Sequence, residues 1–406
     1  MAASVSGARR RSGRVWRAFA GEVPARYWAL LAALFAGGYV YYHATHRGYT
    51  GDGLYYAAMA MMRAGHPYWD ALHAVGGYFH DRAIFRLDYG FFDPQFNPLI
   101  KPRVLYPILS VPFVWIFGVG GMWAVPVFAA LYTLWVATRL IARLYSPRVA
   151  LVVVIPFLTT IAWWEFGTGV YTEPLAIAFM TCLLRNVPLG RTVGVRQHCV
   201  VALMLVALSL TRQMTVVPMA MLVAPFLWSV LRERRLRTPW LTPAAIGVLV
   251  GGLALFLLLV WAPYDALDAF LRNTHTKTLG LAVRHLPSIA WRLLRAESAS
   301  YLRADLPMVL LWVAAIASCV ARWRTPVAAL FIGAAGSSVV FAVLNGVAGS
   351  LRYFFPMYPV LLLMVAEGVR WFFRTERDEA ISRAANPAAA ALSEKSPLPV
   401  RERSTG

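Results

Sequence analysis

The chain has 406 residues, of which 59% are hydrophobic and only 14% charged, yet its formal net charge is +20. A soluble domain carries roughly a quarter charged residues, so a soluble globular protein is excluded. Nucleic-acid binding is excluded as well, because the cations fall in short clusters between apolar blocks, where they report orientation in a membrane.

Taken in chain order, residues 1–26 form an Arg-rich cytoplasmic leader with Arg9, Arg10, Arg11, Arg14 and Arg17. The leader lacks the early apolar stretch and small-residue cleavage site of a removed signal. Apolar blocks near the length of a membrane crossing, about 20 residues, follow over 27–45, 121–138, 149–164, 171–187, 198–211, 214–231, 242–262, 306–321, 326–345 and 353–373. They predict an all-α, polytopic transmembrane protein of about 10–11 spans. Residues 27–373 make up the membrane domain. Beyond it, 374–406 is rich in Ala, Ser, Pro and charge and reads as a disordered cytoplasmic tail. The clusters Arg139–Arg143–Arg148, Arg185–Arg191–Arg196, Arg232–Arg234–Arg235–Arg237 and Arg322–Arg324 share one side if the spans alternate, which puts both termini in the cytoplasm.

Val104–Gly118 does not fit that alternation. Counted as a full crossing it would move Arg139, Arg143 and Arg148 outside. Pro107 and Pro112 interrupt it, so it reads as a re-entrant helix, with a genuine span as the alternative. Cys182, Cys199 and Cys319 lie in apolar segments without metal-ligand spacing and read as small core hydrophobes.

Two long connections remain outside, 46–103 and 263–305, both too polar for lipid and longer than a connection needs to be. In the first, Leu54–Ala64 is predicted helical, with Asp52 at its start and Gly65 and Pro67 as stop signals. Asp52 is either the cap of that helix or a carboxylate held for chemistry. Asp88 and Asp93 share the loop; each is also a residue that turns favour. Lys101 and Arg103 flank Pro102 and suit a phosphate, although snorkelling towards headgroups explains them equally well. Glu173 opens the apolar block at Tyr171-Thr172-Glu173-Pro174, where a helix N-terminus also favours an acid. Arg212 and Arg352 stand at outer membrane edges, where the charge bias disfavours a lone arginine. In the second loop His275 is a weaker candidate, and Leu286–Leu294 reads as an amphipathic helix lying on the membrane.

Gly51-Asp52-Gly53-Leu54-Tyr55-Tyr56, Ala64-Gly65-His66-Pro67-Tyr68, Arg103-Val104-Leu105-Tyr106-Pro107, Tyr171-Thr172-Glu173-Pro174, Leu210-Thr211-Arg212-Gln213 and Arg352-Tyr353-Phe354-Phe355-Pro356-Met357-Tyr358-Pro359 occur in this order. The pattern resembles the GT-C superfamily of integral-membrane glycosyltransferases, and within it the bacterial polyprenyl-phosphate mannosyltransferase-like proteins. The resemblance implies a GT-C-like fold in the cytoplasmic membrane with its active site on the extracytoplasmic side. It implies transfer of mannose, or another hexose or pentose, from a polyprenyl-phosphate donor to a lipid or glycan acceptor of the cell envelope. Asp52 matches the position of the acid that serves the acceptor hydroxyl. Lys101, Arg103, Arg352 and Arg212 are the candidates for the donor phosphate. Many relatives carry two adjacent acids in the first loop, whereas here Gly53 follows Asp52, so the expectation is inverting transfer with no metal and no cofactor. A lipid-linked glycan ligase, a flippase or transporter, and a noncatalytic scaffold of envelope assembly are the alternatives.

Overall fold

The structure is a computed structural model that describes residues 23–80, 100–212, 214–262, 267, 270, 271, 274–345 and 352–385, the side chains of 300, 345 and 372–385 excepted. All regular structure among these residues is helical. The chain runs through α1 (Ala25–Thr45), α2 (Gly51–Arg63), α3 (Tyr68–Phe79), α4 (Leu105–Phe117), a 3-10 turn (Gly118–Trp123) and α5 (Ala124–Leu144). It continues through α6 (Pro147–Leu158), α7 (Ile161–Thr168), α8 (Glu173–Arg185), α9 (Val195–Thr211), α10 (Val216–Glu233) and α11 (Leu241–Trp261). The last helices are α12 (Leu279–Ala304), α13 (Leu306–Ala321), α14 (Pro326–Asn345) and α15 (Tyr358–Ala385).

Four helical stretches are long and apolar enough to cross a membrane: Leu105–Leu144, α10, α11 and Pro326–Leu344 within α14. The pair α6 and α7 makes a fifth if it is taken as one bent span. The all-α, membrane-spanning class therefore holds, but the length test passes fewer helices than the 10–11 spans expected. The difference comes from short helices. Helix α8 has 13 residues, α9 has 17 and α13 has 16. At 1.5 Å per residue, α8 is only about 20 Å long. Helices this short suit the protected interior of a bundle better than an isolated crossing, and α8 buries ten of its residues.

The predicted span 149–164 is two helices that meet at 83°. Thr159 and Thr160 make the break by donating their hydroxyls to the Pro156 and Phe157 carbonyls, 2.7 Å each. The Thr160 hydroxyl then caps α7 by accepting from Trp163 N at 3.3 Å. Asp305 fastens this corner from a distance in sequence. One carboxylate oxygen caps α13 at Met308 N, 3.2 Å, and the other accepts from Ala162 N, 2.8 Å.

The prolines of 104–118 do not interrupt α4. Pro107 stands in the first turn, where its missing N–H is no loss, and Pro112 is carried inside the helix. What ends α4 is Gly118, at φ +59 and ψ −146, a conformation closed to other residues. The chain then folds back. Gly121 lies against the backbone of Phe113, and the Tyr106 hydroxyl donates to the Met122 carbonyl at 2.9 Å. Two further expectations need adjusting. The amphipathic helix of the second loop is longer than 286–294, spanning 26 residues as α12. Helix α15 runs on to Ala385, so helix enters the segment assigned to the tail; Ala, Glu and Arg there are strong helix formers.

Apolar side chains gather into two cores. The larger joins α1, α5 to α10 and α13 to α15 around Trp163, Tyr171, Phe355 and Tyr358. The smaller joins α2, α3, α4 and the start of α5 around Tyr56, Tyr106 and Met122. Charged residues collect where the two meet.

Candidate active site

The helix carrying Asp52 starts two residues earlier than predicted. Thr50 holds the cap position without a side-chain bond, and Asp52 falls in the first turn of α2. Its carboxylate is therefore not the cap, although an acid in a first turn still benefits from the exposed backbone N–H groups. It turns sideways instead. Asp52 Oδ2 accepts from Arg352 Nη2 at 2.7 Å and lies 3.5 Å from Arg103 Nη1. Arg103 Nη1 also donates to the Tyr56 hydroxyl at 2.8 Å. Tyr56 stands one turn after Asp52 on the same face, since residues four apart on a helix are neighbours.

Arg352, just before α15, continues the chain of contacts. Its Nε pairs with Glu173 Oε1, and the same oxygen pairs with Arg212 Nη1. Glu173 is the first residue of α8, Arg212 follows the last residue of α9, and the Thr172 hydroxyl donates to Glu173 Oε2 at 3.1 Å. The Arg352 guanidinium lies 5.3 Å from the Tyr171 ring centroid, and that of Arg212 lies 5.7 Å from Tyr353. Both distances suit cation–π attraction. Two carboxylates and three arginines thus form one linked group with a formal charge of +1.

Exposure separates the two acids. The Glu173 side chain is 0% exposed and that of Asp52 38%, with Arg352 at 20% and Arg103 at 17%. Glu173 is an interior counter-ion, and removing one partner of a buried pair typically costs about 3–5 kcal/mol. Asp52 is the acid that an incoming molecule can reach. Burial pushes the Asp52 carboxyl up, but the Arg352 and Arg103 charges outweigh it and hold the group below its ordinary value. Arg103 Nε is buried without a hydrogen-bond acceptor among the described residues, which leaves one strong donor for an anion.

The backbone brings the two halves of this group together. A Cβ on Gly53 would come within 2.5 Å of the Val170 carbonyl oxygen, closer than non-bonded atoms approach. Only a glycine lets the first turn of α2 lie this close to the turn that starts α8. A second link joins the same segments, from Val170 N to the Gly48 carbonyl at 2.8 Å.

An apolar groove of about 560 Å³ runs between α9 and α11, lined by Val206, Leu210, Leu253, Leu257 and Trp261. Leu210 is two residues from Arg212. Lys101 stands at the other wall, exposed, with Nζ 3.5 Å from the Trp261 carbonyl and 5.9 Å from its ring.

Of the residues singled out from sequence, the structure joins Asp52, Arg103, Arg352, Arg212 and Glu173. Lys101 turns to the groove. His275 is exposed in a turn at φ +54. Asp88 and Asp93 lie outside the described residues. Sequence reasoning missed Tyr56, although its spacing of four from Asp52 was a usable signal. It also treated Glu173 as a secondary candidate when it ties two arginines together. Among the described residues no three His, Cys, Asp or Glu side chains come together as a metal site. The chain matches no protein-family model, no curated protein and no solved structure.

Proposed function

We propose that this chain is a polyprenyl-phosphate-dependent glycosyltransferase of GT-C type that moves a hexose or pentose to an extracytoplasmic lipid or glycan acceptor, with inversion and without a metal. The observation that carries the reading is a single reachable carboxylate, Asp52, held between two largely buried arginines near the end of an apolar groove. A phosphate on an isoprenoid chain presents the matching chemistry: an anion for Arg103 and Arg352, and a tail for the groove between α9 and α11.

The proposed step is one displacement. Asp52 accepts the proton of the acceptor hydroxyl, the hydroxyl oxygen attacks the anomeric carbon, and the bond from that carbon to the phosphate oxygen breaks. The polyprenyl phosphate leaves with the electron pair. Arg103 and Arg352 stabilise its growing charge, so no general acid is needed. A base so placed contributes roughly 10²–10⁴-fold, and a carboxylate beside an oxocarbenium-like centre is the usual arrangement for glycosyl chemistry.

The resting contacts add a condition. An Asp52 paired with Arg352 is a weak base. A donor phosphate that draws Arg103 and Arg352 to itself loosens that pairing and strengthens the base. Donor binding therefore precedes acceptor activation.

Purified full-length protein with radiolabelled polyprenyl-phosphate mannose and pentose donors tests the reading. Label released from the donor into an acceptor, and lost in Asp52→Asn, is the expected result. Movement of intact labelled donor across sealed vesicles without release would replace transfer by flipping. Neither release nor movement would leave the scaffold alternative.

A further inference from the structure

At the far end of α8 a second group of arginines is built differently. Arg185 closes α8, and Arg139 and Arg143 stand on the last two turns of α5. The three line one cavity of about 250 Å³ beside Leu140 and Val23, with no acid among the described lining residues. A water molecule takes up about 30 Å³ in the liquid, so the space is several times what a bridging water needs. Arg139 and Arg185 both lie over the Trp135 ring, 5.3 and 5.8 Å from its centroid. Two cations on one ring repel each other, and an anion between them relieves that repulsion.

A second void meets this one at Trp135. An apolar groove of about 730 Å³ runs between α1 and α5, lined by Trp28, Ala32, Phe35, Leu131 and Trp135. The two helices lie side by side and antiparallel. His43 near the end of α1 packs on Trp123 at the start of α5, 5.0 Å between ring centroids, while Val23 before α1 and Arg139 near the end of α5 share the cavity. The arginine cavity is therefore one helix length, about 25 Å, from the end of α1 that leads to Asp52. By the arginine bias this is the cytoplasmic end of the bundle.

We infer that Arg139, Arg143 and Arg185 bind the phosphate headgroup of an anionic diacyl phospholipid whose acyl chain lies in the groove between α1 and α5. Guanidinium groups match phosphate oxygens with paired hydrogen bonds. Basic pockets between helices on the cytoplasmic side suit lipid headgroups. The occupant is a lipid and not a soluble phosphate because the cation cavity opens onto an apolar channel, where a soluble anion would gain nothing. The inference is independent of the glycosyltransferase reading: it needs only that the helices sit in a bilayer.

The test uses full-length protein, delipidated and then titrated with phosphatidylglycerol, phosphatidylcholine or inorganic phosphate. Bound lipid is counted by native mass spectrometry, and thermal stability is followed in parallel. One phosphatidylglycerol should be retained per chain in preference to phosphatidylcholine. Combined Arg139→Gln, Arg143→Gln and Arg185→Gln should weaken its binding about tenfold or more, while Arg232→Gln with Arg234→Gln and Arg235→Gln should leave it unchanged. Ala32→Trp fills the groove and touches no charge, and it should weaken phosphatidylglycerol binding on its own. It serves as the test if the triple variant does not fold. Equal stabilisation by inorganic phosphate would reduce the site to a simple anion pocket and overturn the lipid. Equal loss in both arginine triples, or normal binding in Ala32→Trp, would overturn the site as drawn.

Discussion

The two ends of α8 hold the same residue type in opposite circumstances. At the Glu173 end, Arg212 and Arg352 close on one carboxylate oxygen and Arg352 reaches on to Asp52. At the Arg185 end, three arginines face a cavity whose described lining contains no acid. Arginine supplies the same guanidinium in both places. Its role follows from whether the chain itself brings a carboxylate within reach or leaves that place to a molecule from outside. One end is closed by folding, and the other suits a ligand.

If that contrast is right, charge removal at the two ends has unequal consequences. Glu173→Gln should be the most damaging change, costing about 3–5 kcal/mol because two arginines lose their buried partner. Arg185→Gln should stay within about 0.5 kcal/mol. Denaturant unfolding of the two variants in the same detergent checks both, and equal costs would erase the distinction.

Asp52→Asn sharpens the contrast inside the Glu173 end itself. Asn keeps the shape but cannot take a proton, so turnover should fall about 10²-fold or more, equivalent to about 2.7 kcal/mol of barrier. Unfolding should hardly move, because Asp52 is partly exposed. A variant that folds poorly would instead make Asp52 a structural counter-ion like Glu173.

A smaller effect is expected in the pH profile of Arg352→Gln. The low Asp52 value means that its contribution to stability is in place above the ordinary carboxylate range and is lost only as pH falls through the lowered value. A turnover that needs the ionised base fails in the same acidic window. With Arg352 gone, burial still pushes the carboxyl up and only Arg103 opposes it. The acid limb of residual turnover should therefore move to higher pH in this variant. An unchanged limb in turnover measured across pH would show that Asp52 does not govern it.

Lys101→Gln should do least. The lysine is exposed and touches only the Trp261 carbonyl and ring, so donor affinity should change by no more than about fivefold. A larger loss in donor titration would return Lys101 to the phosphate site.

The individual charges were legible in the sequence because a membrane protein has so few. Asp52, Arg103, Arg212 and Arg352 each interrupt or flank an apolar run, and the helix beginning near residue 51 followed from its stop signals. Their pairing was not legible. Asp52 and Arg352 meet across 300 residues, and nothing local encodes that contact. Glu173 was harder still, since an acid at a helix start already has a sufficient local explanation. The span count was read too high because apolar composition does not distinguish a helix facing lipid from a shorter one buried among its neighbours. The bend between α6 and α7 was missed for a different reason: it depends on where Thr159 and Thr160 direct their hydroxyls.

The contact between Gly53 and the Val170 carbonyl makes the candidate active site sensitive to one methyl group at a position that carries no chemistry. The distance from the base to the arginines is set there by bare main chain pressed against main chain, with no side chain in between to yield. Gly53→Ala should therefore act as a wedge. It would leave every charged residue in place, tilt the first turn of α2 outward, and separate Asp52 from Arg352 without altering either.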